Sequence, residues 1–163
     1  MIIKNGLVFT PEGKFEKKDL YVEGEYVAKE TTDNKEVEAE GCYVIPGLVD
    51  IHFHGCVRHD MCDGTEESIQ ALADYEAANG VLAICPATMT IPEEELFQAM
   101  NAAREHKNGK GADLVGINME GPFISMAKKG AQNGKYIHKP DVAMFERLQE
   151  AAGGLFKLVD LAP

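Results

Sequence analysis

After Pro46-Gly47 the sequence repeats one pattern three times: a short apolar run is followed by an amphipathic segment of helical length. The apolar runs cover residues 48–54, 81–86 and 114–119, and a fourth run covers 155–161. Such alternation is typical of βα units, in which helices connect parallel strands. Three units and a fourth strand are about half of an eight-stranded parallel barrel. We therefore predict an α/β fold with the first half of a (β/α)8 TIM-type barrel over residues 46–163; an independent four-stranded sheet is the alternative.

Two of the predicted helices carry start signals. The first should begin at about Glu66, because Thr65 can cap its amino terminus. The second should begin near Pro92, where Thr90 and Glu93 have the spacing of a capping box. Both segments then place apolar residues at helical intervals, so each helix is expected to pack one face against the strands.

The first 45 residues are organised differently. Short alternating runs, such as those at residues 7–10, 20–22 and 26–28, are separated by turns that contain glycine, proline or charged residues. This pattern indicates strands rather than helices. We predict that residues 1–45 form strands of a small β-sandwich domain, with the domain boundary near Ile45.

The charge of the chain limits its partners. Its 16 basic and 27 acidic residues give a formal net charge of −11, which repels nucleic acid and anionic membranes. A small anionic substrate stays possible, because local cations in a pocket can outweigh the net charge. The start of the sequence has no secretory signal pattern, and nowhere are about 18 apolar residues continuous. With four cysteines interpreted as reduced thiols, a cytoplasmic protein is expected.

Two histidines follow the first predicted strand. His52 and His54 are two residues apart, so on a strand their side chains point to the same face. They also lie at its carboxyl end, where barrel enzymes place their catalytic groups. A pair of histidines that only hydrogen-bond at a polar strand end is the alternative, but the strand context favours a shared metal ion.

A carboxylate ends the third predicted strand. Glu120 follows an apolar run and precedes Gly121-Pro122, and a carboxylate at such a position is costly unless it is paired, solvated or bound to metal. Together with His52 and His54 it completes a set of three candidate ligands from the ends of two strands. Imidazole and carboxylate ligands suit zinc, iron or a similar divalent ion.

Weaker signals follow elsewhere. The loop over residues 128–133 contains two lysines, a glycine and two amides that could face an anionic or polyhydroxylic ligand, although a solvated surface loop is the more usual explanation. Cys56, His59 and Cys62 have a spacing that suggests zinc, but they offer only three ligands. His106 and His138 stand alone, and we assign them no role.

Several segments, in this order along the whole chain, resemble the N-acetylglucosamine-6-phosphate deacetylase family of the amidohydrolase superfamily. They are Ile3-Lys4-Asn5-Gly6, Pro46-Gly47-Leu48-Val49-Asp50-Ile51-His52-Phe53-His54-Gly55, Pro86-Ala87-Thr88, Glu120-Gly121-Pro122-Phe123, Lys129-Gly130-Ala131-Gln132-Asn133 and Leu161-Ala162-Pro163. The stretch from Glu120 to Asn133 is the most specific of them, because the wider superfamily shares the pair of histidines.

The resemblance implies roles for particular residues. Glu120 would be the carboxylate ligand of the principal metal ion, while His52 and His54 match family members that hold a second ion. Ala131 and Gln132 lie where the family contacts the amino sugar. The implied cofactor is one or two divalent ions, zinc or iron. The implied substrate is a small amino-sugar phosphate, which the family hydrolyses to the free amine and acetate as a homodimer.

The family also uses residues that have no counterpart in this sequence. Two further histidine ligands and a catalytic aspartate come from later barrel strands, so no catalytic acid or base is assigned within residues 1–163. We therefore expect an amino-terminal fragment that is inactive alone. Another metal amidohydrolase, such as a cyclic amidase or a deaminase, and a non-catalytic sugar-binding or metal-binding module are the alternatives.

Overall fold

A computed structural model describes residues 1–162 and shows a mixed α/β protein, so the predicted fold class is confirmed at that level. The chain divides into two compact units, Met1–Pro46 and a second unit that begins at Gly47. Among residues 1–162, no helix combines the length and the apolar character needed to cross a bilayer.

The first unit is built around one long strand. Strand β1 pairs antiparallel with β2, which pairs antiparallel with β3, while β4 and β5 pair parallel with β1. The bounds are β1 (Ile2–Phe9), β2 (Phe15–Glu23), β3 (Tyr26–Ala28), β4 (Glu36–Glu38) and β5 (Tyr43–Val44). Val8 and Ala39 are its buried apolar side chains. This five-stranded sheet therefore has only a small core of its own.

The second unit contains parallel strands and the three α-helices. Its parallel strands are β6 (Leu48–Asp50), β9 (Val81–Ile84), β10 (Asp113–Leu114), β11 (Ile117–Glu120) and β12 (Phe156–Asp160). A short antiparallel hairpin is formed by β7 (Gly55–Cys56) and β8 (His59–Asp60). The helices are α1 (Glu66–Ala78), α2 (Glu93–Glu105) and α3 (Val142–Ala151).

The parallel strands neighbour one another in chain order. Strand β9 pairs with β6 on one side and β10 on the other, and β11 pairs with β12. A parallel bridge between Ala87 and Asn118 continues the pairing beyond β9 to β11. The carboxyl ends of the strands therefore lie along one edge, where side chains from distant parts of the sequence can meet.

Two predicted strands are shorter than expected. The first ends at Asp50 instead of continuing to His54, because the Asp50 side chain accepts the backbone N–H of His52 at 2.9 Å. The third is divided into β10 and β11 around Gly116. A Cβ atom at Gly116 would lie 2.9 Å from the sulfur of Cys85. The strand is therefore interrupted at a position that has room only for glycine.

The helix starts are partly as predicted. Thr65 caps α1 and accepts the backbone N–H of Ser68 at 3.1 Å. The predicted capping box at Thr90 is wrong: α2 has Pro92 at its N-cap position and no side-chain cap. Thr90 is buried instead, and its backbone N–H bonds to the side chain of Gln132. A tertiary contact has therefore replaced the local one.

The helices cover one face of the strands and enclose the core. Eighteen buried side chains form this cluster, and it takes members from all three helices and from β9, β10, β11 and β12. Among the largest fully buried members are Ile69, Leu72, Ile84, Leu96 and Met100. The packed helix layer fixes the strands, and through them the edge at which the candidate site lies.

Candidate metal centre

Three side chains from two strand ends meet at one point. His52, His54 and Glu120 each offer one atom, and these three atoms lie within 4.8 Å of one another. The Oε2 atom of Glu120 lies 2.9 Å from Nε2 of His54 and 3.7 Å from Nε2 of His52. The structure thus brings together the three residues that the sequence analysis selected as ligands.

The segment after β6 positions the two histidines. The backbone N–H of His52 is bonded to the Asp50 side chain, and the carbonyl of His54 accepts the N–H of Met61 at 3.0 Å. Between them, the carbonyl of Phe53 accepts the N–H of Ala87 at 2.7 Å. The imidazole rings are 5.4 Å apart at nearly a right angle, and both direct Nε2 toward the carboxylate of Glu120.

Glu120 is placed by the end of β11 and the turn that follows. Its carbonyl accepts the hydroxyl of Thr88 at 3.1 Å. Gly121 has a positive φ of 74°, and a Cβ atom there would collide with the hydroxyl of Thr90. Only glycine therefore allows the chain to turn immediately after the carboxylate.

The geometry of these atoms fits a divalent ion. Ligand atoms around a tetrahedral ion bound at about 2.0–2.1 Å are roughly 3.3 Å apart, and the separations of 2.9 and 3.7 Å lie on either side of that value. The Oε2 atom of Glu120 is buried and makes no well-directed hydrogen bond, although Nε2 of His54 lies 2.9 Å away, and the buried Nδ1 atom of His54 has no partner. Because buried polar atoms are normally satisfied, the orphaned carboxylate oxygen supports a ligand at this point.

Two residues at the site were missed by sequence reasoning. Asn118 is 3% exposed, and its Nδ2 lies 3.0 Å from Nδ1 of His52. Asp160 ends β12, pairs in register with Glu120, and places Oδ2 3.9 Å from the same His52 nitrogen. Asp160 carried the same signal as Glu120, an acidic residue at the end of an apolar run, and could have been found by it.

The loop after β11 closes against the segment before α2. Gln132 is 5% exposed, and its side-chain oxygen accepts the backbone N–H of Thr90 at 2.6 Å. Its own carbonyl accepts the ammonium of Lys129 at 2.9 Å. Ala131 lines an open cleft of about 490 Å³ together with residues such as Met89 and Asn133. Gln132 therefore braces the wall of the cleft, and the amino-sugar contact assigned to these positions stays a prediction.

The other histidines and cysteines do not form a second cluster. Among residues 1–162, the only group of three potential ligands within mutual reach is the one around Glu120. The sulfur of Cys62 accepts the backbone N–H of Met89 at 3.2 Å, and burial raises the pKa of Cys62 to about 12. A thiol held protonated in this way is a poor metal ligand. His106 is buried and contacts Glu66 at 3.3 Å, which fits a structural role.

Comparison with known proteins identifies the class of protein that the chain resembles: its relatives are deacetylases of amino-sugar phosphates. The chain is 34% identical to N-acetylglucosamine-6-phosphate deacetylase of Bacillus subtilis (strain 168), over 99% of this chain and 41% of the relative. It is 26% identical to N-acetylgalactosamine-6-phosphate deacetylase of Escherichia coli O157:H7, over 99% of this chain and 44% of that protein.

A solved structure agrees with these relatives at the level of the fold. N-acetylglucosamine-6-phosphate deacetylase from Pasteurella multocida superposes with a TM-score of 0.85 at 19% identity, over 98% of this chain and 44% of that one. No protein-family model matches the sequence. The predicted resemblance is thus confirmed over the whole chain, and the chain spans about two fifths of the length of the curated relatives it matches.

Proposed function

We propose that this chain contributes metal ligands to a deacetylase that hydrolyses N-acetylglucosamine 6-phosphate to glucosamine 6-phosphate and acetate. The observation that carries the proposal is the convergence of His52, His54 and Glu120 at the carboxyl ends of parallel strands. The relatives named above act on amino-sugar phosphates and are longer than the matched region. The complete activity is therefore proposed for a protein of their length.

The same proposal includes a finer fold. We place residues 46–163 in the first half of a (β/α)8 barrel, because the parallel strands follow one another in chain order with helices on one face. The face without helices is apolar and open, with Val49 59% and Leu82 55% exposed. We place residues 1–45 in part of a small β-sandwich, since the aromatic cluster of Phe9, Phe15 and Tyr43 is exposed on their sheet.

The proposed cofactor is one or two divalent ions, zinc or iron, held by His52, His54 and Glu120. When bound, such an ion lowers the pKa of a water ligand and polarises the acetyl carbonyl, which together are worth several kcal/mol. The protein contributes the two imidazoles, on the segment held by Asp50, and the carboxylate at the end of β11. The resemblance assigns two further histidine ligands and the catalytic aspartate to later barrel strands, so we expect no turnover by the 163-residue chain alone.

The proposed partners follow from the charge and from the relatives. We expect a small amino-sugar phosphate as substrate, contacted near Ala131 and Gln132, and neither nucleic acid nor a membrane as a partner of a chain with a net charge of −11. A homodimer in the cytoplasm is the expected working form. N-acetylgalactosamine 6-phosphate is a second candidate substrate, because one relative is a deacetylase of that sugar.

The experiment that tests this function is acetate release by a chimera. The 163-residue chain is fused to the part of the Bacillus subtilis relative that lies beyond the matched region, loaded with Zn²⁺ or Fe²⁺, and supplied with each acetylated sugar phosphate. We expect turnover with the glucosamine derivative. The variant Glu120→Gln should lose about 1,000-fold in rate, equivalent to several kcal/mol.

Two results would count against the function. A chimera that folds and binds metal but releases no acetate from either sugar would favour a non-catalytic metal-binding module. Turnover that survives Glu120→Gln unchanged would remove Glu120 from the site. Faster turnover of the galactosamine derivative would support the proposed deacetylation but identify the galactosamine derivative as the preferred substrate.

A further inference from the structure

The two nitrogens of His52 face different groups. Nε2 faces the carboxylate of Glu120 at 3.7 Å, whereas Nδ1 faces Nδ2 of Asn118 at 3.0 Å and Oδ2 of Asp160 at 3.9 Å. A neutral imidazole has one N–H and one lone pair. To bind an ion through Nε2, His52 must therefore carry its proton on Nδ1, and that proton needs an acceptor.

Asn118 offers the opposite partner. Its amide nitrogen donates to the carbonyl of Ile51 at 3.3 Å and faces Nδ1 of His52 at 3.0 Å. Turning the amide over would set its oxygen against the Ile51 carbonyl oxygen, which is repulsive. As a donor to Nδ1, Asn118 leaves the proton of His52 on Nε2 and so favours a tautomer that cannot bind metal through that atom.

Asp160 offers the acceptor that the other tautomer needs. It pairs in register with Glu120 on the neighbouring strand, so the two carboxylates lie on the same face of the sheet. Asp160 approaches the Nδ1 edge of the ring, away from the Nε2 edge that faces Glu120. It is not a member of the group of atoms within mutual reach of an ion. Its position is that of a partner to the ligand.

We infer that Asp160 is a positioning residue: it accepts the Nδ1 proton of His52 and thereby presents Nε2 to the metal ion, in competition with Asn118. Metal-binding histidines usually donate their second N–H to a carboxylate or carbonyl in this way. The Oδ2 atom must move by about 1 Å to reach hydrogen-bond distance, and its side chain has freedom to do so because it is 46% exposed. This inference rests on the proposed metal site.

The competition predicts that the two residues that contact Nδ1 of His52 differ in their effect on Zn²⁺ affinity. In the 163-residue chain, Asp160→Leu should weaken Zn²⁺ binding by about 10- to 100-fold, while Asn118→Leu should not weaken it, because it removes only the competing donor. Asp113→Leu is the matched control, since Asp113 is exposed at the start of β10, on the opposite edge of the sheet. Isothermal titration calorimetry with Zn²⁺ measures all four proteins.

A second readout follows the tautomer itself. Long-range ¹H–¹⁵N NMR spectra of His52 should show the proton on Nε2 without metal and on Nδ1 with Zn²⁺ bound. Equal weakening by Asp160→Leu and Asn118→Leu would indicate general structural damage and overturn the inference, as would Zn²⁺ binding that Asp160→Leu leaves unchanged. If Asp160→Leu does not fold, the inference is tested by the tautomer of His52 in the wild-type chain alone. A proton on Nε2 in the Zn²⁺-bound chain overturns the inference. Failure of the wild-type chain to bind Zn²⁺ would instead reject the proposed site.

Discussion

The two units of the chain differ in how much apolar surface they bury, and therefore in what stabilises them. In residues 1–46 a five-stranded sheet buries only Val8 and Ala39 among its apolar side chains, whereas the second unit encloses a cluster of eighteen. The first depends mainly on its backbone ladder, because its ion pairs, such as Lys17–Glu40, join exposed side chains and contribute little. The second unit gains most of its stability from the burial of apolar surface. The candidate metal site is thus carried by the better packed unit.

The contrast predicts that core truncation has its largest effect in the second unit. Leu72 is fully buried in α1, so Leu72→Ala should lower the free energy of unfolding by about 2–5 kcal/mol. Val8→Ala in the first unit should cost clearly less, because the side chain loses less volume in a smaller core. Urea unfolding followed by circular dichroism measures both, and equal costs would break the contrast.

The stability of the second unit should depend on pH through the buried thiol of Cys62. Burial holds the pKa of Cys62 at about 12, above the value in the unfolded chain. Its contribution to stability is therefore complete below pH about 9 and declines as the pH rises toward 12, by on the order of 1 kcal/mol per pH unit. Urea unfolding between pH 8 and pH 11 measures this slope, and Cys62→Ala should make it shallower.

The same contrast predicts different labelling rates. Cys42 in the first unit is exposed, so it should react with iodoacetamide at pH 8 while Cys62 stays protected until the protein unfolds. Mass spectrometry of the labelled peptides distinguishes the two thiols. Labelling of Cys62 as fast as that of Cys42 would show that the second unit opens readily and is not the better packed one.

The smallest effects concern surface groups. Thr65 caps α1, so Thr65→Ala should destabilise the second unit by about 1 kcal/mol. Lys17→Ala removes an ion pair between two exposed side chains in the first unit, and such pairs contribute little. Thermal unfolding should therefore resolve the first substitution and not the second. A larger loss from Lys17→Ala would mean that surface ion pairs hold the first sheet together.

Periodicity predicted the main elements because it depends on neighbours along the chain. The three helices and the start of α1 at Glu66 agree with the structure. One failure involves a contact between distant residues, because Thr90 bonds to Gln132 instead of capping α2. The other is local: the Asp50 side chain accepts the N–H of His52 and the first strand ends early. The hairpin of β7 and β8 carried no recognised signal. Local patterns cannot reveal which distant partner will compete for a backbone group.

Some residues of the candidate site could be predicted from the sequence, and others could not. His52, His54 and Glu120 were chosen from strand ends, and the structure brings them together, although their role as ligands stays a prediction. Asn118 was missed because its contact with His52 depends on strand register, whereas Asp160 carried the strand-end signal of Glu120 and was overlooked. Knowing that Glu120 pairs with Asp160 would have placed a second carboxylate beside the histidines.

The most direct test of the account is Zn²⁺ binding by the 163-residue chain, measured by isothermal titration calorimetry. The account predicts binding that Glu120→Gln and His54→Ala abolish, while Glu146→Gln, at an exposed position on α3, leaves it unchanged. Absence of binding by the wild-type chain, or binding that survives both site substitutions, would contradict the claim that these strand ends form a metal site.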